Sequence, residues 1–232
     1  MTARTSRAPL SRERVLAAAV GLADQEGLQA VTMRRLASTL GVEAMSLYHH
    51  LPGKEGLLDG LVETVIGEVY GAAASLSATE DWRETVRQRC LGARTVMLSH
   101  PWAPGLIDAR PTVPPAVYDH YEAVLASMIN GGLSYHLAHR ALHALGSMVL
   151  GFVHEPFTPN APGSSDVELT ETELAAMAEQ HPHMMAMVAS EVHNNDDETL
   201  GWCDSQAEFE FTLNLLLEGL ARRAQSEAHS GG

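Results

Sequence analysis

The sequence predicts an all-α chain, with an N-terminal three-helix helix-turn-helix head joined to a larger helical core. Two observations carry the prediction. In residues 32–54, T-M-R-R-L-A-S-T-L-G-V-E-A-M-S-L-Y-H-H-L-P-G-K, the residues Leu36, Leu40, Leu47 and Leu51 recur at spacings that suit two short helices, with Gly41 between them where a reversal needs positive φ. Beyond Lys54 the apolar pattern stays helical to the end, Pro and Gly clusters punctuate it, and there is no internal repeat.

The elements follow in order. Residues 1–10 read as a flexible arm carrying Arg4 and Arg7. Ser11 is placed to cap a helix to about Gln25, whose stripe is Val15, Ala19 and Leu22 with Leu16 and Ala23 beside it, and Gly27 ends it. Leu28 and Val31 lead to Thr32, a cap for the second helix, and the third runs over 44–50. Pro52 and Gly53 make a turn. A helix over 54–74 then turns Leu57, Leu58, Leu61, Val65 and Val69 inward. Asp81 caps a helix to about Ser99, Pro101 and Pro104 break the chain, and a short helix or loop precedes Pro111. Pro114 and Pro115 start a helix through Tyr121, Leu125 and Ile129, stopped by Asn130-Gly131-Gly132. Ser134 opens a helix to about Glu155 with Leu137, Ala141, Leu145, Met148 and Phe152 on one face and small residues Ala144 and Gly151 for close contact. The run P-F-T-P-N-A-P-G-S-S (156–165) cannot be regular, helix returns over 169–193 with a break at Pro182, 194–198 is a loop, and 206–225 forms a final amphipathic helix. The domains are therefore 1–10, an arm; 11–53, the helix-turn-helix; 54–75, a connecting helix; and 76–227, the C-terminal core.

Charge is divided unevenly along this order. The net charge of -14 splits into +1 for residues 1–60 (seven Arg and Lys, six acids) and -15 for the rest (eight against 23). A head less acidic than its body orients the molecule toward phosphate and repels DNA elsewhere. Cys90 and Cys203 are far apart and lack zinc-ligand spacing, the N-terminus has no apolar leader, and no apolar run reaches the roughly 20 residues of a membrane span. These features lead to the expectation of a soluble, reduced, cytoplasmic protein without a membrane partner.

The helix followed by T-x-R-x-L-A-x-x-L-G-V, then S-L-Y-x-H and Lys54, resembles the TetR family of transcriptional regulators over residues 11–62. Gly151-Phe152-Val153 and F-E-F-T-L-N-L-L-L-E-G-L extend the likeness to the core of the tetracycline-repressor subgroup. The resemblance implies DNA contacts by Thr32 and Arg34, and by Glu43, Ala44, Met45, Ser46, Tyr48, His49 and His50 on the third helix. The hydroxyls of Ser46 and Tyr48 suit phosphate oxygens, Arg34 suits phosphate or a guanine edge, and Met45 suits a thymine methyl. Ala44 stands where that subgroup has a base-reading amide, which implies a different operator. Lys54 adds a phosphate contact, since a cation in a helix's first turn opposes the dipole unless an external anion joins it.

Family pockets lie among the central helices and use breaks such as His100-Pro101-Trp102. The resemblance therefore implies an effector against Met97, His100, Trp102, Leu106, Tyr121, His139, His143 and Phe152. His136, His139 and His143 fall on one helical face, and zinc accepts such nitrogens, but no carboxylate or Cys recurs with them, so no metal, cofactor or catalytic residue is assigned. Met97, Met128, Met148, Met184 and Met187 read as core, or as an adaptable apolar lining. The helices at 134–155 and 206–225 are expected to form a homodimer interface as a four-helix bundle. The expected function is a repressor that binds a palindromic double-stranded operator as a dimer and is released by a small molecule. The acidic body favours a cationic or neutral apolar effector. A metal-responsive regulator and a His-dependent metalloenzyme are the alternatives.

Overall fold

The computed structural model describes residues 9–74, 81–112, 114–153, 171–191 and 205–230, and every regular element among them is helical. Local chemistry sets the boundaries of the head. The Ser11 hydroxyl accepts from the Arg14 N–H to start α1 (Arg12–Glu26), and Gly27 ends it at φ 82°, a region that side chains disfavour. A short 3₁₀ turn (Leu28–Ala30) leads to α2 (Met33–Leu40), where the Thr32 hydroxyl accepts from the Arg35 N–H at 3.1 Å. Gly41 then takes the left-handed conformation (φ 63°, ψ 45°) and returns its N–H to the carbonyls of Ala37 and Ser38, which makes the turn into α3 (Ala44–Tyr48).

The third helix is shorter than the expected 44–50. It ends at Tyr48, and His49 and His50 lie in the following turn. The cause is Pro52, which disfavours helical geometry at Leu51 just as that side chain turns inward to 1 % exposure. α4 (Gly53–Ala74) packs against α1, α5 (Trp82–Ser99), α6 (Ala103–Asp108) and α7 (Pro115–Asn130). It is the spine of the molecule. Leu36, Leu47, Leu57 and Leu61 are fully enclosed, and their cluster continues to Leu106 of α6 and Val117 of α7, so the head and the adjoining core helices share one interior. Each such leucine contributes about 1.5–3 kcal/mol of transfer free energy.

The Asp81 carboxylate caps α5 by accepting from the Arg83 N–H, and Ser134 caps α8 (Tyr135–Gly151) by accepting from Leu137. α8 stops short of the expected Glu155. Gly151 is its last residue, Phe152 caps it, and the Phe152 carbonyl accepts from Arg94 Nη1 at 2.9 Å, a side chain closing the helix end. Between α7 and α8, Gly131 lies under the Trp82 indole. A Cβ there would come within 2.3 Å of Trp82 Cγ and Cδ1, while the backbone φ of -80° suits any residue. Gly131→Ala is therefore expected to cost about 1–3 kcal/mol in urea unfolding by overpacking alone. Wild-type stability in that variant would refute the close packing of Trp82.

The chain divides into two compact units, Met1–Val153 with Leu213–Gly232, and His154–Thr212. In the second, α9 (Glu171–Gln180) packs on α10 (Pro182–Glu191), and Met184 and Met187 are exposed rather than core. α11 (Ser205–Ser230) begins in the second unit. Its part in the first buries Leu213 and Leu217 and meets α8 where Ser134 Oγ donates to Glu227 Oε2 at 2.6 Å. The expected arm at 1–8, the irregular run 156–165, the loop 194–198 and Cys203 lie outside the described residues. Among the described residues no helix is long and apolar enough to cross a membrane.

Candidate nucleic-acid interface and internal cavity

Of the five residues of α3, only Leu47 is fully buried. Ala44 packs against the same core, and this leaves the opposite face outward, with Met45 73 % and Tyr48 49 % exposed. Glu43 and His49 are exposed and Ser46 and His50 half-buried around it. Across the turn, Arg34 is exposed and makes no ion pair among the described residues, whereas its neighbour Arg35 is held by Glu26 at 2.6 Å. The Thr32 oxygen accepts from the Arg35 N–H, which leaves its own proton for an external oxygen such as a phosphate.

Lys54 is exposed in the first turn of α4. The carboxylate beside it, Glu55, accepts from Arg110 Nη1 at 2.8 Å, and Asp59 lies 2.6 Å from Arg110 Nη2. Arg110 thus engages the acids beside Lys54, and a cation in the first turn of a helix opposes the helix dipole unless an anion joins it. Lys54→Ala is expected to weaken DNA binding about equally across sequences and to reduce the slope of log K against log salt by about 1. A titration with unaltered slope would remove Lys54 from the contact.

A cavity of about 110 Å³ lies among α4, α5, α6, α7 and α8. Ile66, Val69, Val86, Val124 and Leu145 make much of its wall apolar, and Met97 and Tyr121, expected from the sequence, also line it. Sequence reasoning missed its polar members, Arg89, Cys90 and His120. Burial pushes the Cys90 thiol up to about 12, so it stays protonated, and burial followed by the Arg89 charge lowers the His120 pKa. The readable signal was the one His of α7 and an Arg beside the buried Cys90 on α5, a helix that carries three other arginines.

The other expected effector residues lie elsewhere. His100 is 7 % exposed and fully engaged, with Nδ1 2.8 Å from Asp24 of α1 and Nε2 2.9 Å from Glu68 of α4. Trp102 donates to the same Asp24 oxygen at 2.7 Å. Both are ties between the head and the core helices. Leu106 belongs to the shared interior, and Phe152 presents its carbonyl to Arg94. His139 and His143 stack edge to face at 4.7 Å on the exposed side of α8, because Leu137, Ala141 and Leu145 take its inward face. Among the described residues no group of three or more His, Cys, Asp or Glu is placed to hold a metal.

The family model described as bacterial regulatory proteins of the tetR family matches residues 15–61, and that for the tetracyclin repressor-like C-terminal domain matches residues 76–224. The chain belongs to the TetR family. An HTH-type transcriptional regulator of Saccharopolyspora erythraea is 32 % identical over 144 residues, covering 62 % of this chain and 60 % of its own length. The chain thus aligns with little more than half of that protein. The class E tetracycline repressor of Escherichia coli is 32 % identical over 154 residues, 66 % of this chain and 72 % of its own. Among solved structures, apo ActR of Streptomyces coelicolor superposes with a TM-score of 0.71 at 26 % identity, covering 95 % of this chain and 99 % of that one. The TetR head is therefore the part built on α1 to α3, and the cavity is lined by the matched C-terminal region together with Ile66 and Val69 of α4, which precede it.

Proposed function

We propose that this TetR-family chain is a ligand-responsive DNA-binding regulator, a repressor that holds a palindromic operator as a homodimer and leaves it when a small molecule occupies the core cavity. The observation that carries the reading is α3, anchored by the fully buried Leu47 with Ala44 packed beside it, and offering Met45 and Tyr48 outward, with Arg34 and Lys54 exposed on the flanking helices. Apolar contact from Met45 and a hydroxyl from Tyr48 suit a groove and its phosphate edge. With Ala44 at the leading edge, base reading rests on Arg34, His49 and DNA shape. The DNA-binding part is 11–53, the connecting helix 54–75 and the effector and dimerisation part 76–227.

A solved structure holds ActR in complex with actinorhodin, which supports an effector role for a cavity in a related fold. The family match supports a regulator over the metalloenzyme and the metal-responsive alternatives. The homodimer is assigned to the helices at 134–155 and 206–225, where Tyr135 is 80 % and Leu215 55 % exposed and the small residues Ala144 and Gly146 keep the outer face of α8 low. A two-fold pair then presents its recognition helices about one DNA turn, roughly 34 Å, apart. The ligand acts by preferring a state in which that spacing is wrong.

Selection from a random DNA pool tests the reading directly. A recovered palindrome, bound by a species that sediments as a dimer, is the expected result. Recovery of no sequence over background at low salt would end the DNA-binding assignment.

A further inference from the structure

The cavity wall is apolar except where Arg89, Cys90, His120 and Tyr121 reach it. Arg89 on α5 and His120 on α7 both line it, and Arg89 Nη1 and His120 Nδ1 are buried with no hydrogen-bond partner. A guanidinium normally spends its donors on carboxylates or carbonyls, and a buried donor left unsatisfied costs about 1–3 kcal/mol, more when charged. Arg94, one turn along α5, shows the ordinary outcome, giving Nη1 to the Phe152 carbonyl. Arg89 Nη1 has no such acceptor among the described residues.

We infer that the cavity is built for an organic oxyanion: an apolar ring skeleton carrying one carboxylate or ionised phenolic oxygen, which accepts from Arg89 and His120 while the rings lie against Val86, Val124 and Leu145. The inference rests on the cavity being the effector site. Its chemistry is that of the two orphaned groups. A guanidinium nitrogen and an imidazole N–H both donate to an anionic oxygen, and such charge-assisted bonds are about twice as strong as neutral ones. Burial and the neighbouring Arg89 charge hold His120 in its neutral form, so it serves as an N–H donor or a lone-pair acceptor rather than a second cation. Cys90, also on the wall, stays a protonated thiol and adds no competing negative charge. The acidity of the whole body pointed to a cationic or neutral ligand, but local charge decides recognition in a low-dielectric pocket, and the local charge is positive.

At about 110 Å³ the space is somewhat smaller than the roughly 150 Å³ cavity that holds benzene, so it takes at most one ring as it stands. Larger ligands of the class require the flexible side chains of Met97 and Arg89 to move.

Calorimetric titration of the full-length protein, without DNA, with benzoate, benzyl alcohol and benzylamine tests this. The carboxylate is expected to bind at least tenfold more tightly than the alcohol, and the amine more weakly than both. Arg89→Gln should abolish the difference between acid and alcohol, and Arg89→Lys should restore much of it; circular dichroism checks that each variant is folded, and His120→Phe, which should weaken the acid alone, provides a second folded variant. Equal binding of the three probes, binding of none, or an acid preference that survives Arg89→Gln overturns the inference. Because no operator is present, loss of the anion preference is separable from failure of the DNA-binding reading, and operator release by benzoate is scored in a separate experiment.

Discussion

Leu47→Ala is expected to lower stability by about 2–5 kcal/mol and to abolish specific DNA binding even where the rest of the chain stays folded. Leu47 is 0 % exposed and is the one fully buried residue of α3, so its side chain is what ties the recognition helix to the shared interior. Truncation removes the transfer free energy and leaves a cavity that Leu36, Leu51 and Leu57 cannot close without moving α4. A helix of one and a half turns has no stability of its own to fall back on. Urea unfolding gives the stability loss, and binding below the new midpoint gives the functional loss. A variant that loses less than about 1 kcal/mol and keeps its operator would show that α3 is held by something other than Leu47.

Removing His100 is the second large effect, and it depends on pH. The ring joins Asp24 of α1 to Glu68 of α4, and Trp102 shares the Asp24 oxygen. Burial opposes the charged ring, but the hydrogen bonds and charges of Asp24 and Glu68 outweigh it, so the pKa lies above the ordinary 6.5. A histidine whose folded pKa is raised contributes stability that is fully present below the unfolded pKa, near 6.5, and is lost as pH rises through the folded pKa. His100→Ala should therefore cost about 2–3 kcal/mol at pH 6 and clearly less at pH 8.5, since hydrogen bonds to charged groups are the strong ones and both carboxylates can regain water once freed. Unfolding curves for both proteins at the two pH values check it. An equal loss at both would mean that His100 acts by packing alone. The same substitution should also change the ligand concentration needed for operator release, because His100 lies one turn beyond the cavity residue Met97 and touches the head.

Much of this molecule was legible in the chain because it is local. Ser11, Thr32, Asp81 and Ser134 each cap a helix through an N–H two or three residues away, and Gly27 and Gly41 end helices where positive φ is needed, so a short window holds the whole cause. The recognition helix was misjudged by two residues for an equally local reason, since Pro52 governs Leu51 and ends the run at Tyr48. The cavity was only half legible. Met97 and Tyr121 belong to it, but the partners of His100 are 76 and 32 residues distant, and no spacing rule shows that its two nitrogens are already taken.

The sequence by itself determined the all-α architecture and the helix-turn-helix, because caps, turns and helical periodicity act within a few residues. Only the tertiary structure decided that His100 clamps head to core, that His139 and His143 lie outside the cavity, and that Arg89 and His120 both line it. Those assignments depend on which faces of separate helices are buried against one another, and burial is a property of the packed chain.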